Sequence, residues 1–454
     1  MPVKRQSMDM TEGNIWKLLS LFAMPLLFGN LFQQLYNTVD SIIVGNFVGK
    51  NALAAVGSTT AICNTMVNFF NGISIGAGVL ISNYYGARDQ DNLRRTIHTI
   101  ASLTVILGVG VTLFSVPWVP FMLKMISTPD DVIGHASIYL RIYFVGVVFL
   151  FTYNMGSCVL RAVGDTKRPL YFLITSSLLN IVLDLLFVVV FHWGIAGVAV
   201  ATVLSQAVSA MLVCAALMRA EEAYKLRIKS IRMDMALCRR ILLLGLPIGV
   251  QQSLTAFSNA FVQSYINAFG SAAIMAGWSC HIKIDQFCIL PVMSIGQSVT
   301  TFVSQNLGAK KLERAKAGVR TAIYMGTGLL ILICVILACT SGQLVKLFNR
   351  DAEVVYYGVL FVWLTIPFRF FSAWNQTYAG ALRGSGNTKA SMLIMLFGLV
   401  ICRQVYLYGI TRFVNNVYTV GLGYPVGWIC CGLLSRWYYK HSGWEETYIG
   451  QEKI

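Results

Sequence analysis

Leu160-Arg161-Ala162-Val163-Gly164-Asp165-Thr166-Lys167 is followed 222 positions later by a near copy, Leu382-Arg383-Gly384-Ser385-Gly386-Asn387-Thr388-Lys389. The same offset relates Pro25 to Pro247, and it relates Gly86-Ala87-Arg88 to Gly308-Ala309-Lys310. The chain of 454 residues therefore contains two homologous halves. An internal repeat in a strongly apolar chain is typical of membrane transporters, in which the transport pathway lies between the copies.

The composition identifies the class of protein. Hydrophobic residues make up 56% of the chain and charged residues 12%, whereas about a quarter of a soluble domain is charged. The chain is thus an all-α integral membrane protein, since a spanning helix needs about 20 mostly apolar residues. We predict twelve spans, six in each half, at residues 16–38, 53–82, 96–118, 134–159, 170–191, 194–217, 241–265, 276–304, 318–340, 354–379, 391–411 and 419–438.

The net charge of +16 has an explanation other than nucleic-acid binding. Most of the 35 Lys and Arg residues lie in the termini and in alternate loops, and the opposite loops hold only Lys50, Lys124, Lys346, Arg350 and Arg412. Because basic loops stay on the cytoplasmic side, we expect both termini in the cytoplasm and the chain in the cytoplasmic (inner) membrane of a bacterium. With six spans per half, the two copies have the same orientation.

The longest polar connector separates the two halves. We predict an N-terminal six-helix lobe over residues 1–218, a cytoplasmic linker over 219–240, a C-terminal six-helix lobe over 241–440 and a cytoplasmic tail over 441–454. The helical propensity of the linker would let it lie on the membrane surface.

Polar side chains follow one side of the first predicted span, which carries Asn30, Gln33, Gln34, Asn37 and Asp40. Amides at these positions fit either interhelical hydrogen bonds or a water-filled cavity. An aspartate is an expensive choice for a structural hydrogen bond, because it costs about 2.5–3.5 kcal/mol in the middle of a membrane helix. Asp40 is therefore a candidate functional residue.

Similar stripes occur in the second and seventh spans. The second contains Asn64, Asn68 and Asn71, and the seventh contains Gln252, Asn259 and Gln263. One stripe per half predicts the lining of a central cleft, with Gln33, Asn64 and Asn68 as candidate substrate-binding residues. Gly72 and Gly76 form a GxxxG pattern, which predicts close packing of helices.

The fifth span places Asn180 and Asp184 on one helix face, four residues apart. Counted along their helices at about 1.5 Å per residue, Asp184, Thr202 and Asp40 share a depth in the outer half of the bilayer. We expect Asp40, Asn180, Asp184 and Thr202 to converge. Their oxygen atoms suit a hard cation such as Na⁺, and the two carboxylates equally suit H⁺. A buried structural network is the alternative.

The two halves differ at this predicted site. The second half has Val262 and Tyr406 at the offsets of Asp40 and Asp184. It carries its own charged residue in the eighth span, where Asp285 either contacts a cationic substrate or pairs with Lys283. Arg403 in the eleventh span is expected to neutralise a carboxylate or a helix end.

Enzymatic chemistry has no sequence support here. The eleven cysteines form no CxxC pattern, and HExxH does not occur. We therefore expect no enzyme and no cofactor apart from the coupling ion.

Together these motifs resemble the multidrug and toxic compound extrusion (MATE) family, most closely its DinF-like bacterial branch and the MepA-like exporters within it. The marks are Pro25 with Asp40, the sequence Gly86-Ala87-Arg88, the stretch Arg161 to Lys167 and the pair Asn180 and Asp184. The resemblance covers nearly the whole chain. It implies two six-helix lobes that form a V, and an antiporter that exports organic cationic drugs by alternating access.

The resemblance also implies roles for individual residues. In relatives, the positions that handle the coupling cation or bend the first helix correspond to Tyr36, Asp40, Asn154, Asn180, Asp184 and Thr202. Asp285 falls where relatives have an acidic residue near the substrate. We expect a monomer whose partners are small organic cations and membrane lipids. The alternative is a flippase or a metabolite exporter of the same superfamily; a flippase for a lipid-linked pyrophosphate would need a basic cavity.

Overall fold

The computed structural model describes residues 8–126 and 128–444, and within them every regular element is helical. The six helices of the first half are α1 (Ile15–Val48), α2 (Lys50–Gly86), α3 (Gln90–Met125), α4 (Asp130–Ala162), α5 (Lys167–Val190) and α6 (Gly194–Met218). Those of the second half are α7 (Met235–Asn267), α8 (Ala272–Gly308), α9 (Leu312–Phe348), α10 (Ala352–Gly384), α11 (Thr388–Phe413) and α12 (Val417–His441). The predicted all-α fold of two pseudo-symmetric six-helix lobes is confirmed.

Helix α10 differs from the straight span predicted from the sequence. It consists of Ala352–Phe368 and Phe370–Gly384, and the two parts meet at an angle of 55°. Pro367 lies just before the break. Because proline has no N–H and its ring clashes with the preceding turn, it bends a helix at this kind of position. Its counterpart in the first half is Val145, within the unbroken helix α4.

Three π turns interrupt the helices, and each lies beside an intramembrane charged residue. Val44–Val48 ends α1 four residues after Asp40, and Leu186–Val190 ends α5 two residues after Asp184. In α11 the π turn Phe397–Cys402 directly precedes Arg403. Such turns shift the direction of side chains within a helix and are frequent at functional sites.

The chain divides into two compact units, and two of the boundaries between them fall inside helices α1 and α7. The first unit contains Pro25–Gly245, with the described residues before Met10, and the second contains Met10–Met24 and residues 246–444. Each of these two boundaries lies within two residues of one of the repeat-related prolines, Pro25 and Pro247. The lobe, linker and tail boundaries predicted from the sequence stay a prediction; residues 445–454 of the predicted tail lie outside the described residues.

In the second unit, the chain before α1 is hydrogen-bonded to the end of α8 and the start of α9. The backbone N–H of Met10 donates to Gln305 at 3.0 Å, and the carbonyl oxygen of Met10 accepts from Asn306 at 3.2 Å. Arg314 donates to the carbonyl oxygen of Gly13 at 2.8 Å. These bonds satisfy the backbone of a segment that precedes a helix and has no ladder partner of its own.

In the first unit, the connector after α6 lies against the start of α3. The backbone N–H of Arg227 donates to His98 at 3.2 Å, and that of Asp234 donates to Thr99 at 3.3 Å. Between Arg219 and Asp234 the only described helix is the three-residue 3₁₀ turn Ile228–Ser230. The expected surface helix is therefore absent from this described segment, and hydrogen bonds to α3 hold it instead.

Gly76 on α2 packs against Gly245 on α7, as the GxxxG pattern predicts. A Cβ atom on Gly76 would lie 2.4 Å from the backbone nitrogen of Gly245, so the two backbones are in direct contact. Gly57, on the same helix, has nothing within 4 Å of such an atom.

We expect Gly76→Ala to lower the free energy of unfolding by about 1–3 kcal/mol, because the added methyl group has no space and forces the helices apart. The measurement is the thermal unfolding midpoint of the purified protein in detergent. The matched control is Gly57→Ala, which should leave the midpoint unchanged or raise it slightly, since alanine favours helix by about 1 kcal/mol. Equal midpoints for the two variants would contradict this contact.

Candidate functional site

The candidate coupling site lies within the first unit and is built by three helices. Each supplies two polar side chains four residues apart, which places them on one face. Helix α1 supplies Tyr36 and Asp40, α5 supplies Asn180 and Asp184, and α6 supplies Thr202 and Gln206.

The carboxyl groups of Asp40 and Asp184 lie within hydrogen-bonding reach of one another. Asp184 is fully buried and Asp40 is half-buried. One oxygen of each carboxyl group has no hydrogen-bond partner among the described residues. The ion pairs found in the described part of the chain include neither aspartate. Two adjacent carboxylates in an apolar surrounding repel one another unless a proton or a cation lies with them.

Asn180 links this pair to α6. With its amide nitrogen facing Asp184, it donates to Oδ2 of Asp184 at 2.9 Å, and its oxygen accepts from the backbone N–H of Thr202 at 3.2 Å. The hydroxyl of Tyr36 lies within hydrogen-bonding reach of the Thr202 side chain. The structure therefore brings together the four residues whose convergence the sequence predicts, and Tyr36 with them. Their role as ligands of a coupling ion stays a prediction.

A polar cavity of about 150 Å³ extends from Tyr36 within the same unit. Gln33 and Asn154, two predicted site residues, line it, and the Nδ2 atom of Asn154 donates to the carbonyl oxygen of Leu150 at 3.0 Å. None of the described hydrogen bonds of Asn154 reaches Asp40 or Asp184. Asn64 and Asn68 lie on α2, exposed and half-buried respectively, outside this lining.

Sequence reasoning missed several residues of the cavity. Gln206, Tyr153 and Arg161 line it, and the hydroxyl of Tyr153 donates to the carbonyl oxygen of Pro169 at 3.0 Å. Gln206 lies within hydrogen-bonding reach of Tyr143. The spacing of Thr202, Gln206 and Ser209 is a helical stripe, so this signal was present in the sequence.

In the second unit Asp285 does not pair with Lys283, the protein partner that the sequence suggests. Asp285 forms an ion pair with Arg369 at 2.5 Å, and both side chains are largely buried. Lys283 instead lies over the ring of Phe348, 5.3 Å from its centre. Arg369 lies at the break in α10, 84 positions away in the chain, so spacing within the eighth span gave no indication of it. Contact of Asp285 with a substrate stays a prediction.

Arg403 is also buried in the second unit, and its partners are neutral. It donates to Oγ of Ser258 at 2.6 Å and to Oδ1 of Asn259 at 2.9 Å, and its guanidinium lies 5.0 Å from the centre of the Tyr424 ring. The ion pairs of the described residues do not include it. Arg403 therefore does not neutralise a carboxylate of the described residues, as one of the two predictions for it expected.

Comparison with known proteins agrees with the repeat. The family model MatE matches residues 25–186 and again residues 247–408, two segments separated by the same offset of 222. The chain belongs to the MatE family. The members of this family include multidrug efflux transporters, so the chain is a multi-pass membrane transporter of that family.

Similar proteins extend over the whole chain. The probable multidrug resistance protein YpnP of Bacillus subtilis is 28% identical over 98% of this chain and 99% of its own length. The multidrug export protein MepA of Staphylococcus haemolyticus is 21% identical over 88% of this chain and 89% of its own. A solved structure, the outward-facing conformation of a multidrug resistance MATE family transporter, has the same fold with a TM-score of 0.91, at 20% identity over 98% of this chain and 100% of that one.

We expect Asp285→Asn and Arg369→Gln each to lower the free energy of unfolding by about 3–5 kcal/mol, because either change leaves one buried charge unpaired. The loss of unfolding free energy in the double variant should be smaller than the sum of the losses in the two single variants. The measurement is a double-mutant cycle on unfolding in detergent. If the two effects simply add, the pair does not stabilise this MatE-family transporter.

Proposed function

We propose that this chain is a secondary active multidrug exporter that exchanges H⁺ or Na⁺ for organic, cationic amphipathic substrates by alternating access of its two lobes. The observation that carries the proposal is the contact of Asp40 with Asp184, each with an unpartnered oxygen among the described residues. The names of the relatives YpnP and MepA, which describe multidrug resistance and multidrug export, support the substrate class.

The carboxyl pair supplies the coupling. With both groups ionised the pair repels itself, and a proton or cation that arrives from outside removes that repulsion. The ion thus favours one conformation of the first unit. If the drug binds more tightly to the other conformation, uptake of the ion and release of the drug become linked. Pro25, just before the polar stripe of α1, gives that helix a position at which to bend.

Asn180 fits either ion. In one orientation the amide nitrogen donates to Asp184 and the amide oxygen accepts from the backbone N–H of Thr202. This orientation suits a site that is empty or protonated. Rotation of the same amide would turn the oxygen toward the carboxylates, where it would complete a set of oxygen ligands for Na⁺ with Asp40, Asp184 and Thr202. The donor set therefore supports both coupling ions.

The polar cavity of the first unit suits an ion and its water better than a drug. Its volume of about 150 Å³ is half of the roughly 300 Å³ at which pockets for drug-sized ligands begin. It could hold about five water molecules at about 30 Å³ each. We propose that this cavity hydrates the coupling ion, and that Gln33, Asn64, Asn68 and Asp285 contact the drug in states with more space.

We further propose that the protein works as a monomer in the cytoplasmic membrane of a bacterium, with both termini in the cytoplasm. The coupling ion is then its only cofactor, and its partners are small organic substrates and lipids. The loops rich in Lys and Arg support this orientation.

One observation favours a second candidate, export of an anionic metabolite or flipping of an anionic lipid-linked substrate. Arg403 is a buried cation whose described partners are all neutral. A guanidinium in an apolar surrounding can pair with a carboxylate or phosphate. In this alternative, the substrate would supply the anion.

Asp40→Asn and Asp184→Asn should each abolish ion-driven efflux of ethidium, because either change removes a negative charge that the coupling ion neutralises. The measurement is ethidium transport in inverted vesicles under separate Na⁺ and H⁺ gradients, and the gradient that drives wild-type transport identifies the ion. The matched control is Asp131→Asn, which changes an exposed carboxylate in the first turn of α4 and should transport normally. Normal ion-driven transport by both site variants would show that coupling occurs elsewhere.

Arg403→Gln tests the polarity of the substrate. We expect it to retain ethidium efflux within about twofold, since an amide can still bond Ser258 or Asn259. The measurement is the initial rate of efflux of ethidium and of an anionic fluorescein dye. If wild type exports the anionic dye and the variant does not, the anion carrier replaces the drug–cation antiporter.

A further inference from the structure

Two cavities lie side by side where the connector packs against α3 in the first unit. One, of about 300 Å³, has an almost wholly apolar lining from α3, α4, α6 and the connector, including Ile97, Ala101, Met155, Leu217 and Ile228. The other, of about 520 Å³, lies between the first turns of α3 and the connector and carries mainly basic side chains.

The two cavities share a wall formed by adjacent residues. Ile97 lines the apolar cavity and His98 the basic one, and the connector divides in the same way at Leu226 and Arg227. Ile231 and Arg232 repeat this division further along. The hydrogen bond from the backbone N–H of Arg227 to His98 joins the connector to α3 on the basic side of this wall.

The charges of the basic cavity are predominantly positive. Five Lys and Arg side chains line it with only two carboxylates, and the whole set is Arg94, Arg95, Lys225, Arg227 and Arg232 with Asp91 and Asp234. Arg95 forms an ion pair with Asp234 and lowers the pKa of that carboxyl, so Asp234 is ionised at neutral pH. Glu222, beside the cavity, is held by Lys225 and Arg227, which likewise lower its pKa. No described ion pair includes Arg232.

The order of the two cavities along α3 matches the two parts of a phospholipid, with the basic cavity nearer the start of the helix. Counted from Gln90 at about 1.5 Å per residue, the basic side chains of α3 lie within the first ~12 Å of the helix, while Ile97 to Val105 lie ~10–22 Å along it. The polar interfacial layer of a bilayer is thinner than ~10 Å, and the acyl chains begin below it. Both rims are accessible, since Ile228 is 66% exposed and the side chain of Arg227 56% exposed.

We propose that this pair of cavities is a binding site for an acidic phospholipid, with the phosphate in the basic cavity and an acyl chain in the apolar one. Clusters of basic side chains between membrane helices recognise anionic headgroups in this way. A soluble anion would use only the basic cavity, and a neutral lipid only the apolar one. The bound lipid would cover the connector and help to hold it on α3.

The test is native mass spectrometry of the full-length protein in detergent with equal amounts of phosphatidylglycerol and phosphatidylcholine. Wild type should retain phosphatidylglycerol preferentially. Arg227→Gln with Arg232→Gln should lower that preference by roughly 30-fold, because each cation near the headgroup contributes about fivefold. The matched control is Lys316→Gln with Arg320→Gln, which removes two cations from α9 near the repeat-related position and should leave the preference unchanged.

A second variant separates a lipid from a free anion. Ala101→Phe places a ring in the apolar cavity without changing the charge, and it should reduce retention of phosphatidylglycerol at least fivefold. Competition by inorganic phosphate should be weak. The proposal is overturned if wild type shows no preference, if the two double variants lose it equally, or if Ala101→Phe has no effect while inorganic phosphate competes. The thermal unfolding midpoint of every variant should be unchanged. A loss of phosphatidylglycerol binding then reflects the site and not unfolding of the protein.

Discussion

Because Asp40 and Asp184 lie in contact, the first unit must compensate two neighbouring negative charges within the membrane. Each aspartate costs about 2.5–3.5 kcal/mol at the centre of a membrane helix, so two of them demand compensation. At 4 Å and an effective dielectric constant of about 20, two like charges repel by about 4 kcal/mol. That exceeds the 1–3 kcal/mol typical of coupling between sites, so neutralisation of one charge supplies enough free energy for the coupling that the proposed antiport requires. The amide of Asn180, the hydroxyl of Tyr36 and the polar cavity provide the surroundings in which such a pair persists.

Much of this arrangement could be predicted from the sequence because the bilayer leaves few choices. Backbone polar groups must be satisfied within the segment, so an apolar stretch of the right length is a helix, and its depth follows from counting residues. This is why Asp40, Asn180, Asp184 and Thr202 could be placed together before their contacts were known. Each helix of the site contributes two polar residues that are four positions apart, and this i, i+4 spacing can be read directly from the sequence.

The remainder depends on contacts between residues far apart in the chain. Asp285 has a lysine two residues away, yet its partner is Arg369, which the break beside Pro367 brings to it. The connector is rich in good helix formers, but hydrogen bonds from its backbone to His98 and Thr99 hold it as an irregular segment. In both cases a tertiary contact overrides the local preference, and a single sequence contains no signal for that contact.

The unit boundaries show a further consequence of the repeat. Residues Met10–Met24 belong to the second unit, and α7 up to Gly245 belongs to the first. Sequence order suggests instead that each half keeps its own first helix whole. Proline removes one backbone hydrogen bond from the helix interior, so a bend at this position disrupts less of the helix than a bend elsewhere. The repeated prolines thus lie where a helix leaves one compact unit and enters the other.

The two copies have diverged in charge while keeping their helices. Val262 and Tyr406 replace the two aspartates, Arg403 adds a buried cation one position past the counterpart of Asn180, and Asp285 is neutralised by Arg369. Among the described residues, the second unit therefore has no pair of unneutralised carboxylates comparable to Asp40 and Asp184. In the proposed antiport, a cation that enters the membrane would be attracted to the carboxyl pair of the first unit and repelled by Arg403 in the second. Under that proposal the duplicated fold provides two similar scaffolds, and only the first keeps the carboxyl pair that would bind the ion.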